Sequence, residues 1–460
     1  MEAFEDKLNS LVGILWSEFV LIPLLVLVGI YLSLGLRAVP WRYLPYAIRL
    51  LWRPTEASLT GEISPFQALM TALSATIGTG NIAGVATAIY FGGPGAVFWM
   101  WVIALVGMAT KYSEALLAVK FRQVDSNGQH VGGPMYYIKY GLDKRWSWLA
   151  STFAFFGMVA AFGIGNMVQS NSVADVLKSQ YTVPTAVTGV VMAVITGLVI
   201  IGGVRRVADV VARLVPLMAL GYLAAALVVL ILNAEQVPAA FTTIIASAFG
   251  PSAATGGFLG ASVWMAIRWG FARGIFSNES GLGSAAIAHG AAKTDSPVRQ
   301  GMIAMLGTFI DTIILCTLTG LVLVVSGAWQ SGEQGASMSA LAFSTTLGAP
   351  GGHIVAIGLA VFAFTTIIGW SYYGERCAAF LFGVCVVPYY RCIWVCAIVV
   401  GALFKLNLVW AFADLFNGLM ALPNLIALLL LSPIIFSETR SYLNDKANFA
   451  GLAYEIEKQK

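Results

Sequence analysis

The sequence predicts an all-α membrane protein of about eleven transmembrane helices, one leading helix and two five-helix sets that each open on a broken helix. Three observations carry this. First, the 460 residues are 58% hydrophobic and 10% charged, with a mean hydropathy of +0.82, whereas soluble domains run about 25% charged. Second, the apolar runs are long and continuous, as in 183–201 and 214–232. Lipid cannot satisfy backbone N–H and C=O groups, so a spanning chain is helical or a closed barrel, and a barrel reads as short alternating strands. Third, two clusters of glycine and small polar residues interrupt apolar segments at matching places in the two halves.

A span needs about 20 mostly apolar residues. The leading one, 17–36, follows an acidic stretch (Glu2, Glu5, Asp6) instead of the basic n-region of a signal peptide, and is read as a retained helix. The ten core spans fall near 66–90, 95–121, 148–177, 183–202, 207–232, 258–289, 301–326, 352–382, 390–405 and 409–436. The chain divides accordingly into 1–60 (leading helix and basic loop), 61–235 and 236–436 (two five-helix repeats) and 437–460 (tail).

Lysine and arginine collect on the cytoplasmic side. With the N-terminus outside, 21 of the 26 basic residues fall in inner loops or the tail, Arg53 among them. Only Lys7, Lys178 and Lys405 fall outside, and Arg268 and Arg273 lie within a span. The stretch 329–349 holds no Lys or Arg and is expected to be an external loop. The reading is a multi-pass inner-membrane protein with a cytoplasmic C-terminus. The five cysteines (Cys316, Cys377, Cys385, Cys392, Cys396) show no metal or pairing pattern and are expected to be buried thiols.

The interruptions are Thr76-Ile77-Gly78-Thr79-Gly80-Asn81 and Ser277-Asn278-Glu279-Ser280-Gly281-Leu282-Gly283. Glycine weakens a helix, and Ser, Thr and Asn offer competing hydrogen bonds. A single glycine cluster is more often close helix packing. Two polar clusters at corresponding positions point to a transport site, because unwound turns free N–H groups for a carboxylate and C=O groups for a cation at membrane depth. A dinucleotide fingerprint at Gly78-Thr79-Gly80 lacks its strand, and a glycosylation sequon at Asn278 lies within a span. His130, His289 and His353 are dispersed, so neither a metal centre nor a catalytic set is seen, and no enzyme activity or nucleic-acid partner is expected. A channel would need a continuous polar pore in place of two localised breaks.

Charges at depth cost about 2.5–3.5 kcal/mol and are usually functional or paired. Glu279 lies in the second break and is either a site group or a partner of Arg268 or Arg273. Asp311 and Asp414 are similarly open, and Glu114, three residues from Lys111, is read as part of a structural or gating salt bridge. Gln169 is a candidate for hydrogen bonding substrate, Thr365 and Thr366 for ligating a hard cation, and Phe276, Trp370 and Met265 for limiting a small pocket.

Gly92-Gly93-Pro94-Gly95-Ala96-Val97-Phe98-Trp99-Met100-Trp101, continuing to Gly107, resembles the signature of the sodium:alanine (alanine or glycine:cation) symporter family. Phe276 to Ala285 with Ile287-Ala288-His289, and Gly369 to Arg376, resemble two further blocks, so the likeness spans both halves. It implies a leucine-transporter-like fold, a five-plus-five inverted repeat, and sodium-coupled symport of a small neutral amino acid, with alanine or glycine as substrate and sodium as coupling ion. Proton coupling through Glu279 or Asp311, or a substrate such as glutamine or serine, is the alternative.

Position by position, the resemblance places one sodium near the Asn81 side chain, the Thr76 carbonyl and Ser277. It places a second between the carbonyls of Ser74 and Ile77 and the hydroxyls of Thr365 and Thr366. Substrate is expected against Gly78, Thr79 and Gly80, with Gln169, Phe276, Ser277, Glu279, Gly281 and Trp370 around it. Ala75 and Glu279 depart from the leucine transporter pattern and leave the number of sodium ions open.

Overall fold

The computed structural model describes residues 2–17, 19–52, 59–250, 263–404 and 406–445. The start of the span expected at 258–289, Arg53, Lys405 and most of the tail lie outside the described residues.

Seven described helices are long and apolar enough to cross a membrane, and the pair Pro65–Thr76 and Gly80–Gly92, bent by 51°, makes an eighth. Leu21–Gly35 and Thr185–Ile200 are shorter apolar helices at the expected leading and fourth core spans. Val263–Asn278 followed by Ser284–Gly290 occupies the sixth. The set is compatible with eleven crossings.

The first core helix starts on a reciprocal cap. Ser64 Oγ accepts from Gln67 N at 3.1 Å, Gln67 Oε1 accepts from Ser64 N at 2.9 Å, and Pro65 opens the first turn. The last span ends at Leu430, short of the expected 436. Pro433 lacks the N–H that a continuing helix needs, and a separate helix runs from Ser432 to Asn444. The stretch 329–349, expected to be an external loop, carries the helix Gly335–Leu347. Between the second and third core spans a small antiparallel hairpin pairs Gln123–Val124 with His130–Val131.

Both broken helices are central. Gly95–Lys120 packs against both, and Ala349–Phe382 lies along the first. Small residues permit the close crossings, as expected where lipid is as apolar as leucine and packing drives association. A methyl group on Gly165 would meet Trp370 Cβ at 2.1 Å, and one on Gly80 would meet Ser277 Cα at 3.3 Å. The outer wall, including Gly203–Leu232 and Val387–Leu403, leaves Leu217, Leu220, Ile231 and Ile393 exposed. The expectation of five buried thiols is corrected there: Cys316 and Cys377 are buried, but Cys385, Cys392 and Cys396 are exposed on this outer layer.

Candidate functional site

The two breaks meet at the centre of the protein, and one carboxylate joins them. Asp311 Oδ1 accepts from Asn81 Nδ2 at 2.7 Å, and Asp311 Oδ2 accepts from Ser277 Oγ at 2.8 Å and Thr312 Oγ1 at 2.7 Å. Asp311, Asn81 and Ser277 are all fully buried. Asn81 also closes the first break on itself, its Oδ1 accepting from Gly78 N at 3.0 Å. The neighbouring N–H, that of Thr79, is taken at 3.2 Å by Gln169 Oε1, whose Nε2 donates to Ile164 O. Two of the three N–H groups expected to receive a carboxylate, those of Gly78 and Thr79, are thus held by side-chain caps. The Thr79 hydroxyl is buried without a partner among the described residues.

Three π-helical turns surround this point: Gly80–Gly84 carries Asn81, Gly163–Met167 supplies the carbonyl that holds Gln169, and Phe309–Cys316 carries Asp311. Such turns widen the backbone ring and recur at functional sites.

The second break is held from other spans. Glu114 Oε1 accepts from Gly281 N at 3.0 Å, Gly283 N at 3.1 Å and Asn424 Nδ2 at 2.7 Å. Asn424 Nδ2 also donates to Gly281 O, and Asn278 Oδ1 accepts from Ser280 N. Gly281 has φ +92 and faces Leu25 and Leu425, so both of its backbone polar groups are committed to support and not to a ligand. Glu114 anchors the break; the expected salt bridge with Lys111 does not form, and Lys111 Nζ has no hydrogen-bond partner among the described residues.

Glu279 does not pair with Arg268 or Arg273. It leaves the helix at φ 56, a left-handed conformation costing roughly 1–2 kcal/mol for a residue with a Cβ. Its Oε1 accepts from the Trp370 indole N–H at 2.7 Å and its Oε2 from Ser284 Oγ at 2.5 Å. Arg273 instead reaches Asp414 at 2.7 Å. Strain of this kind persists only where surrounding contacts over-determine it, and it clusters at functional sites.

The other expected cation ligands divide. Thr366 Oγ1 lies 2.9 Å from Ser74 O and 3.3 Å from Ile77 O, so three of the four groups meet. Thr365 Oγ1 turns away to Phe362 O and Met218 Sδ. Thr76 belongs to the turn that leads into the break, its hydroxyl bound to Leu73 O. Phe276 lies against Trp410, with ring centroids 4.9 Å apart. Met265 is three helical turns from Phe276 and does not line the same place.

Above Phe276 a cavity of about 670 Å³ opens at the end of the molecule where Asn9 and Gly13 lie, lined among others by Ser172, Asp175, Arg268 and Asp414. Arg273 sits at its floor, its guanidinium carbon 4.8 Å from the Trp410 ring centre and 5.3 Å from that of Phe276. The opposite end is closed by ion pairs, Glu62 with Arg205 at 3.0 Å and Arg376 with Asp125 at 3.2 Å among them. One end is open down to the Arg273–Asp414 pair, and the other is shut.

The sequence profile described as the Sodium:alanine symporter family matches residues 1–453. The chain belongs to the sodium:alanine symporter family. It is a multi-pass membrane transporter of the amino-acid:cation symport type, not an enzyme. Within the family it is 49% identical over 454 residues to the sodium/alanine symporter AgcS of Methanococcus maripaludis, covering 97% of this chain and 99% of that one. It is 38% identical to the probable sodium/glutamine symporter GlnT of Bacillus subtilis, covering 96% and 92%. The structure is similar to that of MhsT in complex with L-phenylalanine, with a TM-score of 0.51 at 14% identity, covering 82% of this chain and 98% of that one. That likeness places this family member in the leucine-transporter-like fold.

Proposed function

We propose that the chain carries a small neutral amino acid, alanine or glycine, into the cell together with sodium. The observation that carries the reading is the convergence of Asn81, Ser277 and Asp311, which puts a buried carboxylate between the two breaks. A hard cation takes oxygen ligands. Asp311, Asn81 and Ser277 would supply them for one sodium, and Thr366 with the carbonyls of Ser74 and Ile77 for a second. A sodium/alanine symporter at 49% identity supports the cation and the substrate together.

The substrate carboxylate enters at Gly78–Gly80, where the N–H groups of Gly78 and Thr79 exchange their Asn81 and Gln169 caps for the ligand. The positive end of the following half-helix favours that charge. The ammonium faces Ser277 and the carbonyls beside it, with Glu279 close by, and Phe276 and Trp370 limit the side chain. The 670 Å³ cavity is the outer vestibule, with the N-terminus outside and the ion-paired end at the cytoplasmic face of the inner membrane. The repeats at 61–235 and 236–436 then exchange access by rocking of the broken helices against the remaining spans.

Uptake of labelled L-alanine into proteoliposomes under an inward sodium gradient, against potassium at fixed pH, tests this. Saturable uptake that needs sodium supports it. Uptake that ignores sodium and follows a pH gradient overturns it in favour of proton coupling. Transport of glutamine or serine in preference to alanine overturns the substrate assignment alone.

A further inference from the structure

Lys111, counted from the sequence among the inner-loop basic residues, lies instead within the Gly95–Lys120 helix and is the one fully buried lysine among the described residues, 1% exposed. It does not snorkel to an interface, and an unpaired buried ammonium is costly. Its place on the helix explains what it faces. Gly107, Lys111 and Glu114 are spaced four and three residues apart and so share one helical face. Gly107 touches the second break, since a methyl group there would meet Ser280 Cβ at 2.9 Å. Glu114 holds the same break at Gly281 and Gly283. Lys111, one turn from each, points at the same segment.

Three acidic side chains, from three elements, make up its charged surroundings. Glu114 lies on its own helix, Glu279 in the break and Asp311 in the next span, all within electrostatic reach. His289 of the following half-helix is the remaining titratable neighbour. Its Nδ1 is engaged by Gln300 at 2.7 Å, while its Nε2 has no partner among the described residues. Glu114 Oε2 is likewise buried and unpartnered. Arg273, the nearest arginine along the broken helix, is committed to Asp414. One buried lysine therefore stands among three acidic side chains, and one of those joins the breaks.

We propose that Lys111 is the resident countercharge of the cation site: its ammonium partly balances Glu114, Glu279 and Asp311 in the emptied carrier and thereby sets how tightly the transported cation is held. The proposal rests on the functional reading above, with Lys111 as a positioning charge and not a ligand. Cation binding adds positive charge beside an existing one, so the site releases its cargo more readily than three bare carboxylates would. The emptied carrier keeps a cation of its own while it returns.

The test is the sodium dependence of alanine uptake in proteoliposomes for the unmodified chain, Lys111→Met and Lys111→Arg. Lys111→Met is expected to lower the half-saturating sodium concentration about tenfold, the effect of one buried unit charge at several ångströms, with the alanine KM at saturating sodium within about threefold. Lys111→Arg, which keeps the charge, is expected to stay within about twofold of the unmodified chain. A structural role alone would change both constants together and would not spare the arginine variant. Should Lys111→Met fail to insert, Lys111→Gln, neutral but hydrogen-bonding, carries the same expectation. A neutral variant whose sodium dependence is unchanged or weakened overturns the proposal while leaving the functional reading intact. An unmodified chain without any sodium response overturns both.

Discussion

Asn81 and Asp311, 230 residues apart, are joined by a 2.7 Å hydrogen bond from the asparagine amide to the aspartate carboxylate. The bond crosses from the first broken helix to the span that follows the second, and Ser277 completes it from the second break. Replacing Asp311 with Asn removes the charge and keeps the shape. Asp311→Asn is expected to raise the half-saturating sodium concentration at least tenfold, about 1.4 kcal/mol, in sodium-driven alanine uptake. A change under twofold would show that the carboxylate does not hold the cation.

The two adjacent threonines separate by geometry. Thr366 reaches two carbonyls of the first broken helix, whereas Thr365 bonds within its own helix. Thr366→Val leaves both carbonyls short of a partner, at about 1–3 kcal/mol, and is expected to weaken sodium dependence severalfold. Thr365→Val is expected to be close to neutral. Equal losses in the two variants, measured as sodium activation curves, would contradict the assignment.

Trp370 combines bulk with an indole N–H on Glu279. Trp370→Ala is expected to admit bulkier neutral amino acids, raising the glutamine-to-alanine ratio of kcat/KM roughly tenfold or more, the scale that a change in hydrophobic pocket size gives. Trp370→Phe keeps most of the bulk and is expected to lower transport without that change in selectivity. Competition by unlabelled amino acids reads both.

The floor of the vestibule is the 2.7 Å pair of Arg273 and Asp414 over Phe276 and Trp410. Breaking one partner of such a buried pair leaves an uncompensated charge, a cost of about 3–5 kcal/mol. Asp414→Ala is expected to loosen this floor, so that a cysteine placed at Ser277 reacts at least severalfold faster with a membrane-impermeant thiol reagent added outside. An unchanged rate would remove the pair from the access path.

At the ion-paired end, Glu62 lies 3.0 Å from Arg205 and 3.3 Å from His130 Nδ1, and it accepts from the His130 backbone N–H. Burial pushes its carboxyl upward, but the hydrogen bonds and charge of Arg205 and those from His130 outweigh it and hold the group below its ordinary value of 4.5. A carboxyl depressed in the folded state stabilises that state above its unfolded value and stops doing so as pH falls through the depressed one. Closure at this end is therefore expected to be insensitive to pH through the neutral range and to weaken only on acidification below 4.5. Labelling of a cysteine at Thr60 from the cytoplasmic face checks this. Glu62→Gln should raise labelling at neutral pH, and a loss of closure between pH 6 and 8, roughly the histidine range, would contradict the assignment.

Much of the scaffold was legible because lipid imposes span length and punishes polar backbone. The leading helix, the broken pair at 76–81 and the second break at 277–283 all lie where composition placed them. Apolarity does not separate a lipid-facing position from a core-facing one, which is why Cys385, Cys392 and Cys396 were misplaced. Two readings of Glu279 were open, a site group or a partner of Arg268 or Arg273. The helix that carries both arginines ends at Asn278, and the left-handed turn at Glu279 sends the side chain to Trp370 instead. Asp311 carried a local signal, a charge at depth, but not its partner. The support of the second break by Glu114 and Asn424 had none, since those residues lie 167 and 143 positions from Gly281.

The central claim is that cation and amino acid share one site built from both breaks, and reciprocal binding tests it most directly. Alanine affinity of the purified protein would be measured in saturating sodium and in choline, and sodium affinity with and without alanine. Linkage requires both ratios to be the same. A tightening of about tenfold or more is expected in each direction, abolished in Asp311→Asn. An alanine affinity that is the same in sodium and in choline would contradict it.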